Sequence, residues 1–96
     1  MVTRWSAKAE LQLKKAFEYI RKDSEQNAIK VREEIVLLCS SIALNPERFP
    51  PDKFKVNNTG SYRAFELHRY RVSYVILEDV VLIVRLRHTA MSPLQY

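Results

Sequence analysis

"SYRAFELHRYRVSYVILEDVVLIVRLRH", residues 61–88, decides the fold. Tyrosine, phenylalanine, valine, isoleucine and leucine crowd it, and polar pairs at His68–Arg69 and Glu78–Asp79 interrupt it. Runs of β-branched and aromatic residues separated by short polar breaks read as strands joined by tight turns. The stretch therefore predicts an antiparallel meander of three strands. Successive side chains in a strand point to opposite faces. Turns with an even number of residues put Leu77 near Val80 and Arg71 opposite Leu86. One face then carries Tyr62, Ala64, Glu66, Arg71, Ser73, Leu86 and His88. The other carries Arg63, Phe65, Leu67, Tyr70, Val72, Tyr74, Ile83, Arg85 and Arg87. In this register Arg71 and His88 share a face, and Glu66 lies opposite Arg71.

Upstream the period changes. "VTRW" (2–5) reads as a short strand, and Ser6 is placed to cap a helix. Ala9, Leu13, Ala16, Phe17 and Ile20 recur at three and four and line one helical face. Asp23 or Ser24 interrupts that stripe and caps a second helix, whose stripe is Ala28, Val31, Ile35, Leu38 and Ile42. Cys39 flanks it as a buried structural thiol. The few residues between the helices predict an antiparallel hairpin, packed on the more apolar sheet face. Pro46 disfavours helical backbone at Asn45 and should end the second helix there. "PERFPPDKFKVNNTG" (46–60), with three prolines and an Asn-Asn pair before Gly60, is a long loop carrying Arg48, Asp52, Lys53 and Lys55.

The reading is thus α+β in the order β-α-α-β-β-β, a single domain over residues 1–96. At 96 residues with 47% hydrophobic and 28% charged content, the chain has enough apolar surface for a core. No run is long enough to span a bilayer and no signal-peptide pattern appears, so a cytoplasmic protein with no membrane partner is expected. One cysteine cannot form an internal disulfide, which agrees. A net charge of +5 suits RNA, a ribosome or an acidic protein partner. No Cys/His spacing resembles a zinc site, so neither a metal nor another cofactor is expected. From the residues alone, Glu66–Arg71 is a surface ion pair, and His88 the polar end of a strand.

The order of elements, with "WS" before the first helix, "NP" after the second, then "GSYRAF", "YRVSY" and "VLIVRLRHT", resembles the RelE/ParE toxin superfamily along nearly the whole chain. The resemblance implies the toxin of a bacterial type II toxin–antitoxin pair, with a cognate antitoxin as partner. RelE-like members cut messenger RNA in the ribosomal A site; ParE-like members poison DNA gyrase. The loop "PDKFKVNNTG" is similar to that of the YoeB-type, RelE-like ribonucleases. That likeness maps an acidic residue onto Asp52, the catalytic arginine onto Arg71 and a late histidine onto His88. Asp52 is shorter than the glutamate of that pattern, and Thr89 stands where an aromatic follows the histidine. Tyr96, the one late tyrosine, is either the C-terminal tyrosine of RelE-like sites or an unconstrained chain end.

Such a set would cleave RNA without metal. The 2′-OH attacks the adjacent phosphate, with Asp52 as base, Arg71 on the phosphate oxygens and His88 protonating the leaving oxygen. Lys53, Lys55, Arg63, Arg85 and Arg87 would hold RNA or ribosome by backbone charge. The loop and site pattern thus point to a ribosome-dependent mRNA endoribonuclease that inhibits translation; the alternative is a gyrase inhibitor without catalysis of its own.

Overall fold

The computed structural model describes all residues, Met1–Tyr96. The elements are β1 (Val2–Trp5), α1 (Ala7–Arg21), α2 (Glu25–Ile42), β2 (Tyr62–Leu67), β3 (Tyr70–Ile76) and β4 (Val80–His88). Both helices start as their sequences dictate. Ser6 and Ser24 are extended at the caps, and their hydroxyls accept from the amides of Ala9 and Asn27, each at 3.1 Å. These bonds satisfy amides with no partner inside the helix. α2 ends at Ile42, three residues before the expected Asn45. The chain tightens there, with Leu44 donating to Ser41 O and Asn45 to Ile42 O, as frayed last turns do.

The sheet runs β1-β4-β3-β2. β1 joins β4 in parallel, Val2 beside Val80 through Trp5 beside Ile83. The helical hairpin covers one face. Ala9 and Ala16 of α1 and Val31, Ile35, Cys39 and Ile42 of α2 pack on Phe65, Tyr70, Val72, Tyr74, Ile83 and Leu86. Burial of the Cys39 side chain pushes its thiol up to about 12, so it is an inert core residue.

The expected register fails in one place, with consequences for the site. Ile76 pairs with Val81 and Tyr74 with Ile83, as expected near the turn. The next rung pairs Ser73 with Arg85, leaving Val84 as the extra residue of a β-bulge. Beyond it Arg71 pairs with Arg87, not Leu86, and Tyr70 pairs with His88. Side chains past the bulge therefore exchange faces. Leu86 and His88 turn to the helices with Val72 and Tyr70, while Arg85 and Arg87 join Ser73 and Arg71. The physical reason is burial. An unbulged strand would press two arginines against the helices and leave Leu86 outside; Leu86 is in fact buried in the core.

The sheet face away from the helices is covered in part. The loop after α2 runs beside β2, where Asp52 N–H donates to Tyr62 O (2.8 Å) and Ala64 N–H to Pro50 O (3.3 Å). These rungs occupy the edge of β2, which would otherwise offer unpaired backbone groups.

Candidate functional site

The centre of that second face is Asp52. Its backbone is fixed by the rung to Tyr62, and its side chain has no exposed surface. Asn58 ties the loop together. Its amide nitrogen donates to Asp52 O (3.3 Å) and Tyr62 O (2.8 Å), and its oxygen accepts from the Gly60 (2.9 Å) and Tyr62 (3.2 Å) amides. Gly60 has φ +103°, a conformation that favours glycine at this turn. Arg63 completes the brace from β2, donating to the carbonyls of Gly60 (3.0 Å), Glu47 (3.3 Å) and Phe49 (2.8 Å).

Both oxygens of the Asp52 carboxylate are hydrogen-bonded. Oδ1 accepts from the Phe54 amide at 3.0 Å and from Arg71 Nη2 at 2.9 Å. Oδ2 accepts from the Tyr96 hydroxyl at 2.5 Å. Burial alone would raise the carboxyl, but the bonds from Tyr96, Arg71 and Phe54 outweigh it and hold the group down at about 2. Burial, then the carboxylate beside it, pushes the Tyr96 phenol above its ordinary value. Arg71 is held on its other side by Glu66, Nη1 to Oε2 at 3.2 Å, and its guanidinium lies 4.8 Å from the Phe54 ring centre. Two carboxylates thus share one guanidinium.

The remaining cations gather round this pair. Lys55 Nζ sits 4.7 Å from the Tyr62 ring centre and 5.6 Å from that of Tyr96. The Arg85 guanidinium stacks 4.0 Å from the Tyr96 ring centre. Arg85 and Arg87 also donate to carbonyls of the tail, Leu94 O at 2.6 Å and Ser92 O at 3.1 Å. Lys53 stands at the rim, 5.2 Å from the Phe54 ring centre. No cluster of His, Cys, Asp and Glu is arranged to hold a metal ion.

Of the expected site residues, Asp52, Arg71 and Tyr96 come together, with Lys55, Arg85, Arg87 and Lys53 around them. Arg63 does not join them, being committed to the loop carbonyls. The expectation that Arg71 and His88 share a face is corrected by the Val84 bulge. At the end of β4, His88 borders the pocket on this face as well as the helix-side groove, but its ring packs edge-on against Tyr70 with centres 5.0 Å apart. Its Nδ1 accepts from the Ala90 amide at 3.0 Å. Tyr96 is anchored at both its hydroxyl and its backbone and is no frayed end. Sequence reading passed over Asn58 and Phe54. An asparagine two residues before the chain's only glycine is the available signal for the first; nothing in the sequence points to the second.

Comparison with known proteins agrees with this architecture. The family profile described as ParE toxin of type II toxin-antitoxin system, parDE, matches residues 3–93. Among solved structures, a chain of the chromosomal ParDE TA system from P. aeruginosa superposes with a TM-score of 0.72. The match covers 92% of this chain and 95% of that one at 15% identity, so the likeness is one of fold. No curated protein matches the sequence.

Proposed function

The chain belongs to the ParE toxin family of type II toxin–antitoxin systems, and from that premise we propose that it arrests growth by binding DNA gyrase instead of by cutting RNA. The observation that carries this reading is the closed Asp52–Arg71 pair. A general base must reach the proton it removes. Asp52 has no exposed surface, and its oxygens are already bonded to Phe54, Arg71 and Tyr96. Arg71, the group for phosphate charge, is already countered by two carboxylates. His88, the proposed acid, borders the pocket, but its ring packs edge-on against Tyr70 and its Nδ1 accepts from the Ala90 amide. On this reading the Asp52–Arg71–Tyr96 cluster holds loop and tail on the sheet, and exposed Lys53 with half-buried Lys55 and Arg87 meets the target, while Arg85 is buried under the tail. The antitoxin neutralises the toxin by covering part of this basic molecule, to which an acidic segment is electrostatically suited.

One observation favours the ribosome-dependent endoribonuclease instead: Lys55, Arg71, Arg85 and Tyr96 converge on one face, as cations and a proton carrier for RNA cleavage would. The two readings separate in cells. After induction of soluble, folded toxin without antitoxin, gyrase poisoning stops incorporation of labelled thymidine first. Loss of labelled methionine first, with A-site cuts seen by primer extension on translated mRNA, would reject the gyrase reading. In that case Arg71→Ala should lose cleavage by about 10²–10³-fold, as for removal of one preorganised charge contact.

A further inference from the structure

Helix α2 is apolar on two sides, and the sheet takes only one. Val31, Ile35, Cys39 and Ile42 are buried in the core. From Ile35 to Leu44 the chain carries no charged residue, and its polar side chains there are Ser40 and Ser41. Leu37 and Leu44 are separated by about two helical turns, so they share a flank. They are 71% and 89% exposed, more than any other large apolar residue of the molecule. A helix with apolar residues on both sides is built to pack on both. Beside them runs an open groove of about 630 Å³, lined by Leu37, Leu38, Ser40, Ser41 and Leu67, with Glu34. Glu34 is already bound to His68 Nε2 at 2.8 Å. Glu33 and Arg48, on either side of the uncharged stretch, are exposed and make no ion pair.

We propose that this flank binds a second copy of the chain, the two α2 helices crossing antiparallel about a two-fold axis between Ser40 and Ser41. The surface complements itself in the way a two-fold requires. An axis at that point sets Leu37 against the partner's Leu44. Each Leu44 then enters the groove beside the other copy's Leu37 and Leu38, as a knob enters a hole. The two serines at the crossing are small, which lets the helices approach closely. Charge favours the same occupant at this one place. The chain carries +5, so two copies repel over most of their surface. The stretch from Ile35 to Leu44 is free of that charge, and burying it desolvates no ion. Glu33 lies as far before the axis as Arg48 lies after it, so each carboxylate faces the partner's arginine. A parallel crossing would instead set glutamate on glutamate and arginine on arginine. The pairing is independent of the target, because the hairpin covers the sheet face opposite Asp52 and its cations. A dimer of this kind leaves that second face open on both copies.

The test is sedimentation equilibrium of the purified full chain without antitoxin, with amide hydrogen exchange as a second readout. The wild type should form a reversible dimer, and exchange between Leu37 and Leu44 should slow as concentration rises. Leu44→Ala removes a solvent-facing side chain and leaves the core intact, so it should keep the wild-type thermal transition. It should dimerise about 100-fold more weakly, since both copies lose a buried leucine contact worth roughly tenfold each. Glu33→Arg and Arg48→Glu should each weaken the dimer by on the order of tenfold, as two attractive pairs become repulsive. The double variant should recover wild-type dimerisation, because both pairs re-form with their signs exchanged. A wild type that stays monomeric up to its solubility limit overturns the proposal, as does undiminished dimerisation by Leu44→Ala. A double variant no better than the single ones overturns the antiparallel crossing. Slowed exchange between Leu37 and Leu44 that appears only when antitoxin or gyrase is added makes that protein the occupant and overturns self-pairing.

Discussion

At the scale of single residues, Asp52 carries the most testable physics. Its folded carboxyl titrates at about 2 against an ordinary 3.8, so the ionised form is favoured by folding. A depressed folded value adds stability that is fully present above the ordinary value and is lost as pH falls through the folded one. The shift corresponds to about 2 kcal/mol, lost between roughly pH 5 and pH 2. Urea midpoints of the wild type measured across that window should fall more steeply than those of Asp52→Asn, which cannot titrate. Parallel curves for the two proteins would mean that Asp52 is not held as described. Core residues follow simpler arithmetic. Ile35 is fully buried between hairpin and sheet, so Ile35→Ala should cost about 2–5 kcal/mol in chemical denaturation.

At the scale of elements, the helices were legible because their signals are local. Ala28, Val31, Ile35 and Ile42 sit at helical spacing and are all buried. Ser6 and Ser24 cap as their chemistry suggests. The three C-terminal strands were legible for the same reason. The bulge was not, because register depends on pairing between residues far apart in sequence, and a single extra residue breaks strict alternation. A trace was present: Val81 and Ile83 alternate, but the next inward residue is Leu86, three positions on. That break is what puts His88 in register with Tyr70 and Arg87 opposite Arg71. The rungs of the 46–60 loop and the fold-back of the tail were invisible, since they rest on backbone groups and on one contact between Asp52 and Tyr96 across 44 positions. A deletion experiment checks the bulge. Removing Val84 should preserve the fold, because Ile83 still pairs with Tyr74 and Arg85 with Ser73 once the extra residue is gone. Removing Ala64 from β2, which pairs with β3 in unbroken register, has no bulge to absorb it and should turn residues on one side of the gap to the wrong face, with loss of the cooperative thermal transition by circular dichroism. Equal damage from both deletions would contradict the pairing.

At the scale of the whole molecule, a helical hairpin seals one face of the sheet while loop and tail partly cover the other, so the exposed cations are left at the rim. That distribution suits a protein that works by attachment. The Asp52–Arg71–Tyr96 cluster has the geometry of a brace: a buried carboxylate held by a half-buried arginine and tyrosine, joined to three parts of the chain. The most direct test is DNA supercoiling by purified gyrase, with purified toxin added alone and with its antitoxin. The account predicts that toxin alone stops supercoiling, that antitoxin restores it, and that His88→Gln inhibits as well as the wild type. Undisturbed supercoiling at saturating folded toxin, together with cleavage of translated mRNA by the same preparation, would contradict it.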